Sequence, residues 1–183
     1  MHEEIVISGF GGQGVLFAGQ LLAYAGLAEG RHVTWIPSYG PEMRGGTAHC
    51  TVIISDDEIG SPLVRNPTAA IVLNPPSLVR YAPLVQPNGV LIVDAALITE
   101  RAGRADIHEI AVPAKEIATE LGFPQIANVV LIGALIATTR VVLVETVERV
   151  LEAHLGAHHR AALAANQEAL HRGATFLPSA VPV

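Results

Sequence analysis

The sequence predicts an α/β fold of three layers, a mostly parallel sheet covered by helices. Three observations predict it. Short apolar runs alternate along the chain with segments of helical periodicity, the order that builds parallel sheets. Half of the 183 residues are hydrophobic and few are aromatic, so the apolar content is mostly Ala, Val, Ile and Leu, as in strands covered on both faces. The first strand ends in a glycine-rich turn: Ile5-Val-Ile-Ser-Gly-Phe-Gly-Gly-Gln-Gly-Val15 passes from an apolar run through four glycines into a helical pattern. The expected arrangement is a single Rossmann-like domain over residues 1–183, since a domain takes about 100–200 residues.

Each element follows in order. Strand one is Glu4–Ser8, and a helix runs through Val15, Leu16, Ala18, Leu21, Leu22 and Ala25 at the 3–4 spacing of a buried face until Gly30 stops it. Strand two is His32–Ile36. A Pro/Gly-rich loop leads to a strand of Thr47–Ser55, with Thr47, His49, Thr51 and Ile53 on one face and Ala48, Cys50, Val52 and Ile54 on the other. Ala69–Leu73 is a strand and Ser77–Val85 a helix. Val90–Val93, ending at Asp94, has the continuous apolar character of a central parallel strand. Ile107–Val112 reads as an edge strand carrying His108 and Glu109 outward. Pro113 opens a helix over Ala114–Leu121, closed by Gly122. Asn128–Thr139 is a buried helix, 145–155 and 160–171 are surface helices, and the tail 178–183 is frayed.

Composition excludes several functions. A formal charge of −6 lacks the basic footprint of a nucleic-acid binder, and no polybasic run holds a membrane surface. The apolar run Val129–Ala137 is short of the roughly 20 residues a bilayer demands. The one cysteine, Cys50, permits neither an internal disulfide nor a cysteine-ligated iron–sulfur cluster within this chain. It stands on an apolar strand face as a buried thiol, with His49 pointing the opposite way. No secretory signal is visible at the N-terminus, so a cytoplasmic location is expected. His154 and His158 stand four residues apart, but Gly156 breaks the helix between them and no H-E-x-x-H pattern follows. No metal ligands and no catalytic residue are assigned.

Gly9, Gly11 and Gly14 have the G-x-G-x-x-G spacing that brings a backbone close to a phosphate at a helix start. With Gly12 and Gln13 they form a first candidate loop. A dinucleotide site would add an Asp or Glu at the end of strand two to hold the ribose. Pro37-Ser38-Tyr39 stands there instead. A small NAD(P) or flavin reductase is therefore disfavoured. The second loop, Ser38-Tyr-Gly-Pro-Glu-Met-Arg-Gly-Gly-Thr47, contributes Ser38, Tyr39, Gly40, Arg44, Gly45 and Gly46. Arg44 offers a planar fork to a phosphate or carboxylate. Both loops follow strands at the same sheet edge, where ligands of α/β sheets bind. Asp94 lies at that edge too, as a cap for the loop after it.

Taken together, Gly9-Phe-Gly-Gly-Gln-Gly-Val15, Ser38–Thr47, the Thr51–Ser55 strand, Pro113-Ala-Lys-Glu-Ile-Ala118 and Asn128-Val-Val-Leu-Ile-Gly-Ala134 resemble the γ subunit of 2-oxoacid:ferredoxin oxidoreductases. The resemblance spans about residues 3–155. It is greatest to the separate γ subunit of the 2-oxoglutarate enzyme, while pyruvate, branched-chain and indolepyruvate relatives share the motifs. It implies the conversion of a 2-oxoacid, CoA and oxidised ferredoxin to acyl-CoA, CO2 and reduced ferredoxin. It also implies a hetero-oligomer in which partner subunits hold thiamine diphosphate, Mg2+ and iron–sulfur clusters. No cofactor is then bound by this chain alone. CoA is the co-substrate its glycine loops could contact, unless those loops only dock other subunits. The alternative is a stand-alone nucleotide- or CoA-binding regulatory module without catalysis.

Overall fold

Alternation along β1 (His2–Phe10) decides where the rest of the chain packs. Ile5 and Ile7 point to one side of the sheet and Val6 to the other, all three buried. The computed structural model describes residues 1–38, 47–154 and 162–176. After β1 come α1 (Val15–Ala28), β2 (His32–Ser38), β3 (Thr47–Ser55), β4 (Ala69–Val72), α2 (Pro75–Tyr81), β5 (Val90–Asp94) and β6 (His108–Val112). The chain then turns helical: α3 (Ala114–Glu120), α4 (Ala127–Thr139), α5 (Val144–His154) and α6 (Leu163–Thr175).

The six strands form one sheet in the order β2-β3-β1-β4-β5-β6. The pairs β1–β4, β4–β5 and β5–β6 are parallel, and β3 is antiparallel to both β1 and β2. β3 is thus inserted between the two strands that α1 connects, while β2 still runs in the direction of β1. Pro37 sits in β2, opposite Cys50. It is tolerated because β2 is an edge strand with one side free of ladder bonds. The carboxyl ends of β1, β2, β4, β5 and β6 all meet the amino end of β3 at one sheet edge.

One face packs Ile5, Ile7, Cys50, Val52, Ile54, Ile71 and Ile92 against α1, α3, α4, α5 and α6. The other packs Val6, Ala70, Val72, Leu91 and Val93 against α2 and the residues after it. α4 is buried continuously from Ala127 to Ile136, and only its last turn is open. It is the centre of the helical layer, with the sheet on one side and α6 on the other. Where α4 and α6 cross, Gly133 lies against the Leu170 carbonyl and Gly173 against the Val130 carbonyl, with no room for a Cβ on either.

Several elements differ from their sequence expectation. β1 extends two residues further at each end. The helix expected at Ser77–Val85 starts earlier, at Pro75, where the Asn74 side chain accepts the Ser77 N–H at 2.8 Å. It stops at Tyr81 and tightens into a 3-10 turn over Ala82–Leu84, because Pro83 cannot continue an α-helical ladder. Glu109 does not point outward. Its carboxylate accepts the Ala102 N–H at 3.0 Å and lies 3.5 Å from Arg101, since neighbouring strand residues must face opposite ways. The helix expected at 160–171 is described from Leu163 and runs to Thr175; it is a surface helix that buries one stripe, Asn166, Ala169, Leu170 and Gly173. α5 likewise buries Thr146, Val147, Val150 and Leu151. His154 stacks on Tyr24 at 4.3 Å between ring centroids; His158, Gly156 and the tail 178–183 lie outside the described residues.

Among the described residues, no helix is long and apolar enough to cross a membrane. Nor does any group of three or more His, Cys, Asp or Glu stand together to hold a metal ion.

Candidate functional site

The glycine turn between β1 and α1 is fastened by its own glutamine. The Gln13 N–H donates to the Phe10 carbonyl at 3.1 Å, and the Phe10 N–H returns to Gln13 Oε1 at 2.6 Å. Gln13 Nε2 then donates to the Leu73 carbonyl at 2.9 Å, tying the turn to the end of β4. Both ends of this side-chain amide are engaged within the fold. Gly9 is buried beneath it, where a Cβ would lie 2.6 Å from Gln13 Oε1 and 3.0 Å from Leu73 Cβ.

The remaining glycines of the turn divide by role. Gly14 is the N-cap of α1 at φ 72°, a left-handed conformation that glycine adopts without the Cβ penalty. A Cβ there would stand 2.5 Å from Asn128 Nδ2, which donates to the Gly14 carbonyl at 3.0 Å and so binds the start of α4 to the start of α1. Gly12, at φ 97°, is exposed and has nothing within 4 Å of where a Cβ would be. Its open side is turned away from the core.

A cavity of about 280 Å³ opens beside this turn, lined by Gly12, Gly14, Phe17, Gln125, Asn128 and Asn166, with Ile126 and Ala162. Gly14, Ile126 and Ala162 are the N-caps of α1, α4 and α6. Three helix starts therefore meet on one cavity. No side chain caps any of the three and no acid stands in any first turn. Helix starts carry partial positive charge, and an anion is favoured near them.

Ser38 ends β2 opposite His49, and Phe10 ends β1 opposite Thr47. Both ends of the second loop are thereby placed at the same edge as the glycine turn. The loop itself, including Tyr39, Gly40, Arg44, Gly45 and Gly46, lies outside the described residues.

A smaller chamber of about 80 Å³ adjoins the first and shares Gly12 and Gln125 with it. Gln13, Leu73, Asp94, Leu97 and Lys115 complete its main lining. Asp94 is fully buried. Its Oδ1 accepts the Ala96 N–H at 3.1 Å and the Lys115 N–H at 3.4 Å, the capping role expected of it. Its Oδ2 is buried with no hydrogen-bond partner among the described residues. Burial pushes the carboxyl above the usual aspartate range despite these backbone donors and the Lys115 charge. The Lys115 ammonium is held on the Pro124 carbonyl at 3.1 Å.

Cys50 is buried, its thiol donates to the Val15 carbonyl at 3.5 Å, and burial pushes that thiol up to about 12. His49 points to the other face, its pKa lowered by partial burial and then by the Arg80 charge. The two residues form no nucleophile–base pair. Asn166, Gln125 and Ala162 carried no local signal, and Asn128 entered only as the start of a motif. They reach the cavity only because three helices start there.

The fold and the edge site define a family. The chain belongs to the pyruvate ferredoxin/flavodoxin oxidoreductase family, whose pattern matches residues 4–176. It is similar to the 2-oxoglutarate synthase subunit KorC of Methanocaldococcus jannaschii, 36% identical over 154 residues and covering 82% of each chain. It is 44% identical over 134 residues to the ketoisovalerate oxidoreductase subunit VorA of Methanothermobacter thermautotrophicus. That alignment takes in 73% of this chain and 28% of VorA, so the chain spans little more than a quarter of that relative. The crystal structure of the γ subunit of a keto/oxoacid ferredoxin oxidoreductase from Geobacter sulfurreducens superposes with a TM-score of 0.80 at 31% identity, covering 93% of this chain and 95% of that one.

Proposed function

We propose that this chain is the γ-type subunit of a 2-oxoacid:ferredoxin oxidoreductase acting on 2-oxoglutarate, and that its edge cavity receives the phosphates of CoA. The observation that carries the ligand part is the meeting of three uncapped, acid-free helix starts on one cavity. In a chain of net charge −6, such a place is where a phosphate gains most. The N–H groups of the α1 start serve the pyrophosphate, Gly12 lets the ligand lie against the backbone, and Arg44 of the second loop is the side chain suited to pair with a phosphate. The 2-oxoglutarate assignment rests on the similarity to KorC over more than four-fifths of both chains.

The whole reaction joins 2-oxoacid, CoA and oxidised ferredoxin to give acyl-CoA, CO2 and reduced ferredoxin. Thiamine diphosphate with Mg2+ and iron–sulfur clusters, held in partner subunits, supply decarboxylation and electron transfer. The residues of this chain do not fit a cluster: it has one thiol, which is buried and strongly held as the neutral form. Its own contribution is to bind and orient the thiol-carrying co-substrate and to dock onto the thiamine-binding chains.

Docking is favoured by a separate observation. Phe10 and Ile36, near the ends of β1 and β2, are 38% and 40% exposed on the same sheet face, an apolar pair beside the loops that a partner subunit would cover. The two roles are separable in the assembled complex. Arg44→Ala is expected to raise the CoA KM about tenfold, as loss of one charge-assisted contact should, with assembly unchanged. An assembled variant with unaltered CoA KM would show that the second loop serves docking alone.

A further inference from the structure

The two faces of the sheet are covered unevenly. α1 packs on the Cys50, Val52 and Ile54 side of β2 and β3. On the opposite side, α2 and the 3-10 turn after it cover β1, β4 and β5, and no described helix lies over β2 and β3. The half of that face nearest the glycine turn presents Phe10, Ile36, Ser38, Thr47, His49 and Thr51. Phe10 pairs with Thr47 and Ile36 with Thr51, so His49 stands between the two exposed apolar side chains.

The charge of this half-face is the reverse of the chain's. The formal net charge is −6, yet none of these six residues is an acid, and Glu3 and Glu4 stand at the far end of β1. Arg80 of α2 adds a cation at the border. Its guanidinium carbon lies 5.2 Å from the centre of the Tyr81 ring, and that ring lies 5.9 Å from the ring of His49. After burial, the Arg80 charge is the second cause that lowers the His49 pKa, as a cation near an imidazole should. Arg80 is exposed and forms no ion pair among the described residues. Contact with a ring face leaves the N–H fork of a guanidinium free to pair with a carboxylate.

We infer that this half-face docks a polypeptide segment of the thiamine-binding partner, one that lays apolar side chains on Phe10 and Ile36 and seats a carboxylate on Arg80 beside His49. This rests on the reading of the chain as a γ-type subunit. Apolar surface and cation lie side by side, which suits a protein segment and not a free phosphate. The partner lies on the face and does not extend the sheet, because Pro37 interrupts the row of N–H donors along the edge strand β2. The occupant also has a counterpart in a relative. The part of VorA that matches this chain is 28% of that polypeptide, and the segment that docks here corresponds to part of the remainder.

The test uses the complex purified with wild-type chain, with Arg80→Glu, or with Ile36→p-benzoylphenylalanine, a photo-reactive apolar replacement at the centre of the face. Dissociation on dilution is followed by mass photometry, with a thermal melt as the control for folding. Arg80→Glu is expected to raise the dissociation constant of the chain from the larger subunits at least tenfold, as loss and reversal of an interfacial charge should. The photo-probe is expected to form its adduct on a larger subunit, in a peptide that contains Asp or Glu. An unchanged dissociation constant for a folded Arg80→Glu overturns the carboxylate contact, and an adduct on a second copy of this chain, or none on a larger subunit, overturns the docking face. In those cases an intact wild-type complex leaves the γ-subunit reading standing. A wild-type chain that never joins larger subunits overturns both. Should Arg80→Glu not fold, the photo-adduct alone decides.

Discussion

Gly173→Ala should unfold this chain or leave it with little residual stability. Gly173 lies at the crossing of α6 over α4, and an added Cβ would overlap the Val130 carbonyl oxygen, with the Val130 carbonyl carbon 2.8 Å away. The obstacle is backbone in the middle of a fully buried helix, so no rotamer change relieves it. The helices must separate, and the contacts of Val130, Leu170 and Ala169 separate with them. Overpacking of a core costs about 1–3 kcal/mol where side chains can give way; here the loss should be about 3 kcal/mol or more. Against a typical total of about 5–15 kcal/mol, that is a large part of the stability. Urea denaturation followed by circular dichroism measures it. Gly30→Ala is the comparison. Gly30 has φ 74° but nothing within 4 Å of a Cβ, so only the left-handed backbone is penalised, by about 1–2 kcal/mol. Equal midpoints for the two variants would contradict the account of the crossing.

The second large effect is functional, and its sign separates it from misfolding. Ala162→Asp places a carboxylate at the N-cap of α6, a position where aspartate stabilises a helix relative to alanine by about 0.5–2 kcal/mol. The same substitution puts a negative charge on the wall of the helix-start cavity. Two like charges about 4 Å apart repel by about 4 kcal/mol at an effective dielectric of 20. The expected result is a melting temperature unchanged or raised, together with a CoA KM increased by up to about a thousandfold. Steady-state kinetics of the reconstituted complex at varied CoA, beside a thermal melt of the variant chain, makes the comparison. A stable variant with normal CoA KM would show that this cavity holds no anion.

Much of the edge was legible before folding. Gly9-Phe-Gly-Gly-Gln-Gly14 announced a strand-to-helix turn, and β3 follows its expected bounds, Thr47–Ser55. Asp94 was legible as the end of a buried strand and as a cap. Its contact with the start of α3 was not, because that depends on Lys115 packing back against the strand end from 21 residues on. Pairing was also hidden: nothing local to β3 states that it runs antiparallel between β1 and β2. The gathering of Gly14, Ile126 and Ala162 is tertiary in the same sense, since each N-cap is an ordinary apolar or glycine residue in its own segment. α6 was legible as a surface helix, but its close crossing of α4 was not, because Gly173 carries no apolar signal.

The claim that this chain works only within an assembly is tested most directly by native mass spectrometry of material purified from the source cells. The account predicts that the chain is recovered in a hetero-oligomer with larger thiamine-diphosphate-binding subunits. Recovery solely as a free monomer, with those subunits absent from every species containing it, would contradict it.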